Sequence, residues 1–489
     1  MKIHVVQKGF YPNRVKENFL IIRAEYKKAL AGKADIMVLP GNAIIGYEAD
    51  LSTSHFAAIE KLATETKGEH CAILCETFGR FFLLEKGTVS LIDGGGFEFN
   101  KYNCKVLTSF EVDESDCSSY DIVFFLEAMP FAVEFQGEYC DNILDRFKNT
   151  SLVYVNQCGG IDNVVLSGHS MIKGLSDEKV YILPDFEDCS CTFEFKKQKF
   201  TPLSKLKPYK EKLEDMEFIR DALVVGIRDY FKYAGIKKAV VGISGGIDSA
   251  VIVSLAVEAL GRTNVFGVMM PSQFSTDHSV KDAVRLADNL QIYYEIIKIK
   301  PIYDTFIKQL DPLFKDTEFG LAEENMQARS RATLLMSIAN KFGYLLINTS
   351  NKSEGFCGYG TLYGDLCGSI SPLGDLYKSQ VYELAEYINR KKEIIPQNII
   401  DKAPSAELRV GQKDSDSLGE YDIIEKIARS YLYEYITDAK KIAKQTGIAV
   451  AHVEKIISLF QKSEFKRRQA APAIVLTTKP LSRVGLTLN

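Results

Sequence analysis

The chain has 489 residues, 46% of them hydrophobic and 25% charged, a composition that excludes disorder as the main state and predicts two domains. Lys and Arg number 60 against 64 Asp and Glu, a net charge of -4, so no field of one sign would hold a polyanion and nucleic acid is not an expected partner. No apolar run reaches the roughly 18 residues of a membrane span, so no membrane partner is expected, and the first residues lack a basic segment followed by an apolar one, so no export signal is expected. The 10 cysteines lack paired metal spacing and read as reduced, mostly buried thiols, which places the protein in the cytoplasm. The 6 histidines show no metal spacing either and read as structural or surface groups.

In chain order, apolar runs at 2–6 and 35–39 flank an amphipathic stretch at 15–31, predicting strand, helix, strand. Further strand-like runs fall at 71–74, 81–84, 122–126 and 152–155, so the first domain, 1–195, is a sheet-rich α/β unit. The Lys- and Pro-bearing stretch KKQKFTPLSKLKPYKEK, 196–212, reads as a linker, and 213–489 as the second domain. There a helix at 216–234 precedes a strand at 238–243, a helix at 250–260 closed by Gly261, a strand at 265–270, a helix at 279–290 and a strand at 294–299. Strands alternating with helices of this length call for a doubly wound parallel sheet with its ligand at the carboxyl ends of the strands.

Between the strand 238–243 and the next helix lies Ser244-Gly245-Gly246-Ile247-Asp248-Ser249. Two glycines let backbone amides close on an anion, and the following helix adds partial positive charge. No Gly-Lys-Ser/Thr follows, so this is not a Walker loop. An aspartate in an anion site would repel the ligand unless it held a cation, which makes Asp248 a candidate Mg2+ ligand. The loop resembles that of the PP-loop ATP pyrophosphatases, whose members cleave ATP between its α- and β-phosphates.

Downstream, Glu323 to Arg331 open a helix, Thr349-Ser350-Asn351-Lys352-Ser353-Glu354 follow a strand, and Tyr359 to Asp365, Asp375 to Lys378, Pro404 to Arg409 and Lys466 to Ala470 come in order. These stretches closely resemble the NAD+ synthetases over 216–472. The resemblance implies ATP and Mg2+ as cofactors, with Ser244, Gly245, Gly246, Ile247, Ser249, Arg331, Thr349 and Lys378 on ATP. It puts Asp248 and Glu354 on the metal, gives Asp248 and Lys378 catalytic roles, and sets Asn325, Lys352, Asp365 and Lys466 on the dinucleotide substrate. Residues 404–408 and 413–417 match loops that close over the site. The implied reaction is ATP-dependent amidation of deamido-NAD+ through an adenylate, in a homo-oligomer of at least two chains.

The first domain resembles, more weakly, the nitrilase-like glutaminase domain that larger NAD+ synthetases carry, an α-β-β-α sandwich. The match rests on Gln7, 35–40, Ala43, Gly46-Tyr47, 155–162, Gly168 and Ser170. In that family a Glu, Lys, Cys triad frees ammonia from glutamine. The glutamate position is here Gly41, the thiol position is Leu126, and Lys101 and Lys105 are the nearby lysines. Neither Gly41 nor Leu126 can move a proton or form a thioester. Loss of a nucleophile from a catalytic triad costs on the order of 10⁶ in turnover, so the expected nitrogen source is free ammonia. Cys158 is expected to be a small buried hydrophobe. A glutamine-dependent enzyme with a non-standard site and a non-catalytic dinucleotide-binding protein stand as the alternatives.

Overall fold

Continuous apolar strands form when both faces of a sheet are covered, and the amino-terminal unit, Met1–Leu213, is made of such strands. The computed structural model describes residues 1–47, 54–108, 117–135, 138–206, 215–405, 407–409, 411–412 and 419–481. The first unit runs β1 (Lys2–Gln7), α1 (Val15–Ala31), β2 (Ile36–Val38), α2 (Ser54–Glu65), β3 (Ala72–Thr77), β4 (Arg80–Glu85), β5 (Thr88–Ile92), β6 (Gly96–Phe99) and β7 (Tyr102–Leu107). It continues with β8 (Ile122–Glu127), α3 (Glu138–Arg146), β9 (Ser151–Asn156), β10 (Cys158–Ile161), β11 (Val164–Ser167), β12 (Met171–Lys173), β13 (Tyr181–Ile182), β14 (Cys189–Lys196) and β15 (Lys199–Pro202).

Two large sheets result, in the orders β15-β14-β1-β2-β3-β4-β5 and β13-β12-β9-β8-β7-β6, and β10 pairs with β11 as a separate two-stranded sheet. The period-two alternation of each strand sorts its side chains between layers. Ile3, Val5, Ile36, Val38 and Leu74 join Phe124, Leu126 and Val155 in the core between the sheets. Their neighbours Val6, Met37 and Ile73 face α1 and α2, while Phe125, Leu152 and Tyr154 meet the α3 residues Ile143 and Leu144. The unit is therefore an α-β-β-α sandwich, as expected.

The expected linker is too long. Residues 189–196 and 199–202 pair as a hairpin in the first sheet, with Phe193, Phe195 and Phe200 buried. The KKQK run is its exposed turn, with Lys197 and Gln198 at positive φ. Charge made a hairpin turn look like a tether, and the unit extends at least to Pro202.

The second unit, Glu214–Asn489, opens with α4 (Asp215–Ala234), β16 (Ala239–Gly242), α5 (Ile247–Leu260), β17 (Val265–Met269), α6 (Asp277–Leu290) and β18 (Tyr293–Ile296). Then come α7 (Lys300–Phe314), α8 (Leu321–Phe342), β19 (Leu345–Leu346), α9 (Lys352–Cys357), α10 (Lys378–Asn389) and α11 (Gln397–Asp401). Its four-stranded sheet is wholly parallel in the order β18-β17-β16-β19. Val240, Val268 and Leu346 pack on Leu335 and Ala339 of α8, and α5 packs on β16 and β17. The order reverses between β16 and β19, so the loops leaving these two strands part and open a crevice at their carboxyl ends. Three later helices, Tyr421–Leu432, Ala439–Thr446 and Val450–Lys462, form a separate apolar cluster with Phe356 and Tyr377. Among the described residues no helix is long and apolar enough to cross a membrane.

Candidate functional site

The loop 244–249 leaves β16 at that crevice. Gly245 adopts φ +79°, and a Cβ there would stand 2.3 Å from the Ser279 carbonyl oxygen, so only glycine fits. Ser244 Oγ accepts from the Gly246 amide at 3.2 Å, and Ser249 Oγ accepts from the Ser244 amide at 3.2 Å while donating to the Gly246 carbonyl at 3.0 Å. These bonds fix the loop. Helix α5 begins at Ile247 rather than Ala250, with Gly246 as a cap that has no side chain, so its first amides face the crevice as an anion site.

Asp248 thereby lies in the first turn of α5. Two further helix starts meet it. Asn351 caps α9 by accepting from the Glu354 amide at 3.0 Å, and its Nδ2 donates to Asp248 Oδ1 at 2.9 Å. Lys378, the first residue of α10, extends Nζ to within 2.5 Å of Asp248 Oδ2 and 3.8 Å of Glu354 Oε1. Burial alone would lower the pKa of the Lys378 ammonium, but the two carboxylates outweigh it and hold the group above its ordinary range. Asp248 and Glu354 thus sit about one cation. Magnesium uses one or two carboxylates and completes its shell with phosphate oxygens and water, so this donor set beside an anion loop fits a magnesium that arrives with a nucleotide. Among the described residues no cluster of three or more His, Cys, Asp or Glu forms a metal cage.

A cavity of about 290 Å³ takes in the loop, Asp248, Glu354 and Lys378 together with Arg331, Thr349 and Asp365. Arg331 on α8 donates to the Met270 carbonyl at 3.0 Å. Burial pulls its guanidinium down to about 10, against the charges of Asp365 and Glu407, so it remains a cation at neutral pH.

The stretch 219–470, just over half of the chain, matches the family model described as NAD synthase. The chain belongs to the NAD synthase family. The glutamine-dependent NAD(+) synthetase of Synechocystis is 44% identical over 331 residues, which cover 68% of this chain and 59% of that one. That of Acinetobacter baylyi is 36% identical over 395 residues, 79% of this chain and 72% of the relative. The solved glutamine-dependent NAD+ synthetase of Acinetobacter baumannii, in complex with adenosine diphosphate, superposes on 99% of this chain and 97% of its own with a TM-score of 0.76 at 29% identity.

Within this family frame, the four residues expected on the dinucleotide divide. Asp365 lines the cavity and accepts from the Thr361 amide at 2.5 Å; burial raises its pKa, against Lys466 and Arg331. Lys466 Nζ holds the carbonyls of Gly358 and Gly360 at 2.9 and 2.8 Å, and Asn325 Oδ1 accepts from Thr361 Oγ1 at 2.7 Å, so both brace the 358–365 loop. Lys352 is not brought to the cavity. Its ammonium, fully buried, donates to Asp375 Oδ1 at 2.8 Å, Thr477 Oγ1 at 3.0 Å and the Tyr433 hydroxyl at 3.2 Å, which uses all three donors.

Of the expected closing loops, Pro404, Ser405, Glu407 and Leu408 line the cavity, and Glu407 accepts from Ser279 Oγ at 2.6 Å and Lys402 Nζ at 2.7 Å. Ala406 and 413–417 lie outside the described residues. Sequence reasoning missed Ser279 and Lys402, which carry no motif, and Asn351, whose Asn-x-x-Glu capping box was readable.

In the amino-terminal unit Gly41 and Leu126, the positions expected to correspond to the family's acid and thiol, are neighbours. Gly41 donates to the Glu127 carbonyl at 3.0 Å, and a Cβ on Gly41 would lie 3.0 to 3.2 Å from the backbone of Glu127 and Leu126. Leu126 is buried in the inter-sheet core. Lys101 occupies the β6–β7 turn, exposed, and Lys105 donates to the Gly94 carbonyl at 2.6 Å. Cys158 is buried, its Sγ 3.4 Å from the Glu187 carbonyl.

Proposed function

We propose that the chain is an NAD+ synthetase that amidates deamido-NAD+ while cleaving ATP to AMP and pyrophosphate. The reading rests above all on Asp248, Glu354 and Lys378 meeting at the amino ends of α5, α9 and α10 beside the 244–249 loop. The ADP in the Acinetobacter baumannii relative supports a nucleotide in the same family fold.

The α5 amides and the Lys378 ammonium would take the β- and γ-phosphates, while Arg331 and Thr349 would hold the rest of the nucleotide. Asp248 and Glu354 would hold magnesium, which supplies charge neutralisation at phosphate oxygens when bound. The nicotinate carboxylate, placed on the Asp365 side, attacks the α-phosphorus and pyrophosphate leaves. Ammonia then attacks the carbonyl of the adenylate, loses a proton, and AMP departs. No protein nucleophile is required, so positioning and preset charge carry the rate.

Two nitrogen donors have support. The names of the relatives favour glutamine. The Gly41 and Leu126 positions favour free ammonia, because the amide-cleaving acid and thiol of the family pattern have no counterpart there. Purified protein with ATP, Mg2+ and deamido-NAD+ is given ammonium chloride or glutamine, and NAD+ is measured. No NAD+ from either refutes the synthetase reading, and glutamine matching ammonium at equal concentration refutes the ammonia reading. A cytoplasmic homo-oligomer completes the proposal, and sedimentation of the purified chain tests its assembly.

A further inference from the structure

Glu354 and Lys378 stand on two different helices, and one buried carboxylate that the proposed reaction leaves unused ties those helices together. Glu425 lies in the helix Tyr421–Leu432 and is 6% exposed. Its Oε1 accepts from Ser353 Oγ at 3.0 Å and from the Ser379 amide at 3.1 Å, and its Oε2 accepts from Ser379 Oγ at 2.5 Å. Ser353 Oγ in turn accepts from the Lys378 amide at 3.0 Å. Ser353 immediately precedes Glu354 on α9, and Ser379 immediately follows Lys378 on α10. The same helix sets the Tyr421 ring under the Lys378 ammonium, 5.4 Å from its centroid.

These bonds decide what the start of α10 can offer a nucleotide. Its first amide goes to Ser353, its second to Glu425, and the Tyr377 amide before them to Gln380 Oε1 at 3.0 Å. An amide committed to a protein oxygen is not available to phosphate. Helix α10 therefore delivers its lysine rather than its amides, and the aim of that lysine depends on what fixes its backbone. Burying a carboxylate is costly unless its oxygens are hydrogen-bonded, a condition met here by the Ser353 and Ser379 donors and aided by the partial positive charge at the start of α10. Lys378 and Glu354 line the cavity, whereas Glu425, Ser353 and Ser379 do not, so any influence of Glu425 on a bound nucleotide passes through its neighbours.

We propose that Glu425 is a positioning residue: acting through Ser353 and Ser379, it sets the Lys378 ammonium against the Glu354 carboxylate and so fixes where the triphosphate is held. The inference rests on the synthetase reading above, in which those two groups serve ATP. A misplacement of about 1 Å in a reacting site costs on the order of 100-fold in rate, and a clamp that is loosened rather than removed costs less.

The test compares the wild-type chain with Glu425→Gln, Ser379→Ala and Ser379→Thr. ATP affinity is read by calorimetric titration in EDTA, so that it reports the protein's own groups. The kcat and KM values are read from NAD+ formation with ATP, Mg2+, deamido-NAD+ and ammonium chloride. In Glu425→Gln, ATP affinity is expected to fall about 5-fold and kcat about 10-fold, with KM for deamido-NAD+ within about 2-fold of wild type. Ser379→Ala is expected to lose about 3-fold in both, and Ser379→Thr, which keeps the hydroxyl, to recover most of that loss. A bond network that served stability alone would lower the melting midpoint and leave ATP affinity and kcat at their wild-type values. That result in Glu425→Gln, or in Ser379→Ala should Glu425→Gln not fold, overturns the proposal while the synthetase reading stands. A wild-type chain that binds no ATP and forms no NAD+ overturns both.

Discussion

Asp375→Ala separates a structural from a substrate-binding role for Lys352. The Asp375 carboxylate, fully buried, accepts from Lys352 Nζ at 2.8 Å, the Leu476 amide at 2.8 Å, the Thr477 amide at 2.7 Å and Thr477 Oγ1 at 2.9 Å. Truncation strands a buried ammonium and two amides, and breaking a buried ion pair from one side costs about 3–5 kcal/mol. For a unit of this size roughly 2 °C of midpoint corresponds to each kcal/mol, so the loss is about 6–10 °C. Calorimetry of the full chain reads it in the transition that ATP raises, since a ligand stabilises the unit that binds it. Lys352→Met in the Asp375→Leu background is expected to recover part of the loss, because an apolar pair needs no partner. A midpoint within 2 °C of wild type for Asp375→Ala, with Lys352→Met raising KM for deamido-NAD+ about 10-fold at unchanged stability, would refute this reasoning.

Asp248→Asn is expected to lower kcat at least about 100-fold, the scale of losing one preset charge; steady-state NAD+ formation measures it. Gly245→Ala forces a Cβ toward the Ser279 carbonyl at 2.3 Å in a left-handed residue, so ATP affinity measured by calorimetric titration should fall by more than about 10-fold. Glu25 gives the amino-terminal unit an acid-sensitive contribution. Burial opposes its charge, but His4, Lys28, Ser190 and Lys8 bring its pKa from 4.5 down to about 2. A depressed carboxylate stabilises fully above its unfolded value and loses that contribution as pH falls toward its folded one. Thermal midpoints should therefore drop between about pH 5 and pH 2 by the equivalent of about 1–3 kcal/mol, and Glu25→Gln should flatten that drop.

The elements that sequence placed well are those whose apolar pattern reflects burial, on one face for a helix and on both faces for a strand. Helix α1 falls at 15–31 as expected, and the apolar runs at 2–6, 122–126 and 152–155 are strands. Boundaries failed where side-chain character and backbone state diverge. The helix start moved from Ala250 to Ile247 because a glycine cap has no side chain to announce it. The strand that precedes Thr349 spans only Leu345–Leu346, and Ile347 beyond it forms an isolated bridge with Ile370. At the candidate site, the residues that the structure brings together in the way the sequence suggested lie in contiguous motifs: the 244–249 loop, Glu354 and Lys378. Lys352 was expected at the cavity because Thr349, Ser350 and Glu354 of the same motif do line it, while its own ammonium turns inward to an acid 23 positions later. Ser279 and Lys402 were invisible because their partner, Glu407, is joined to them only by the fold.

The Lys352–Thr477 contact spans 125 positions of sequence and anchors the start of α9, two residues before Glu354. A growing polypeptide can emit the glycine loop, α5 and α9 long before it emits Leu476 and Thr477. Until then Asp375 lacks three of the four donors it holds in the finished fold. Completion of the ground under Glu354 is thereby tied to the late arrival of a distant segment, and a nascent chain is left without a finished cavity wall on that side.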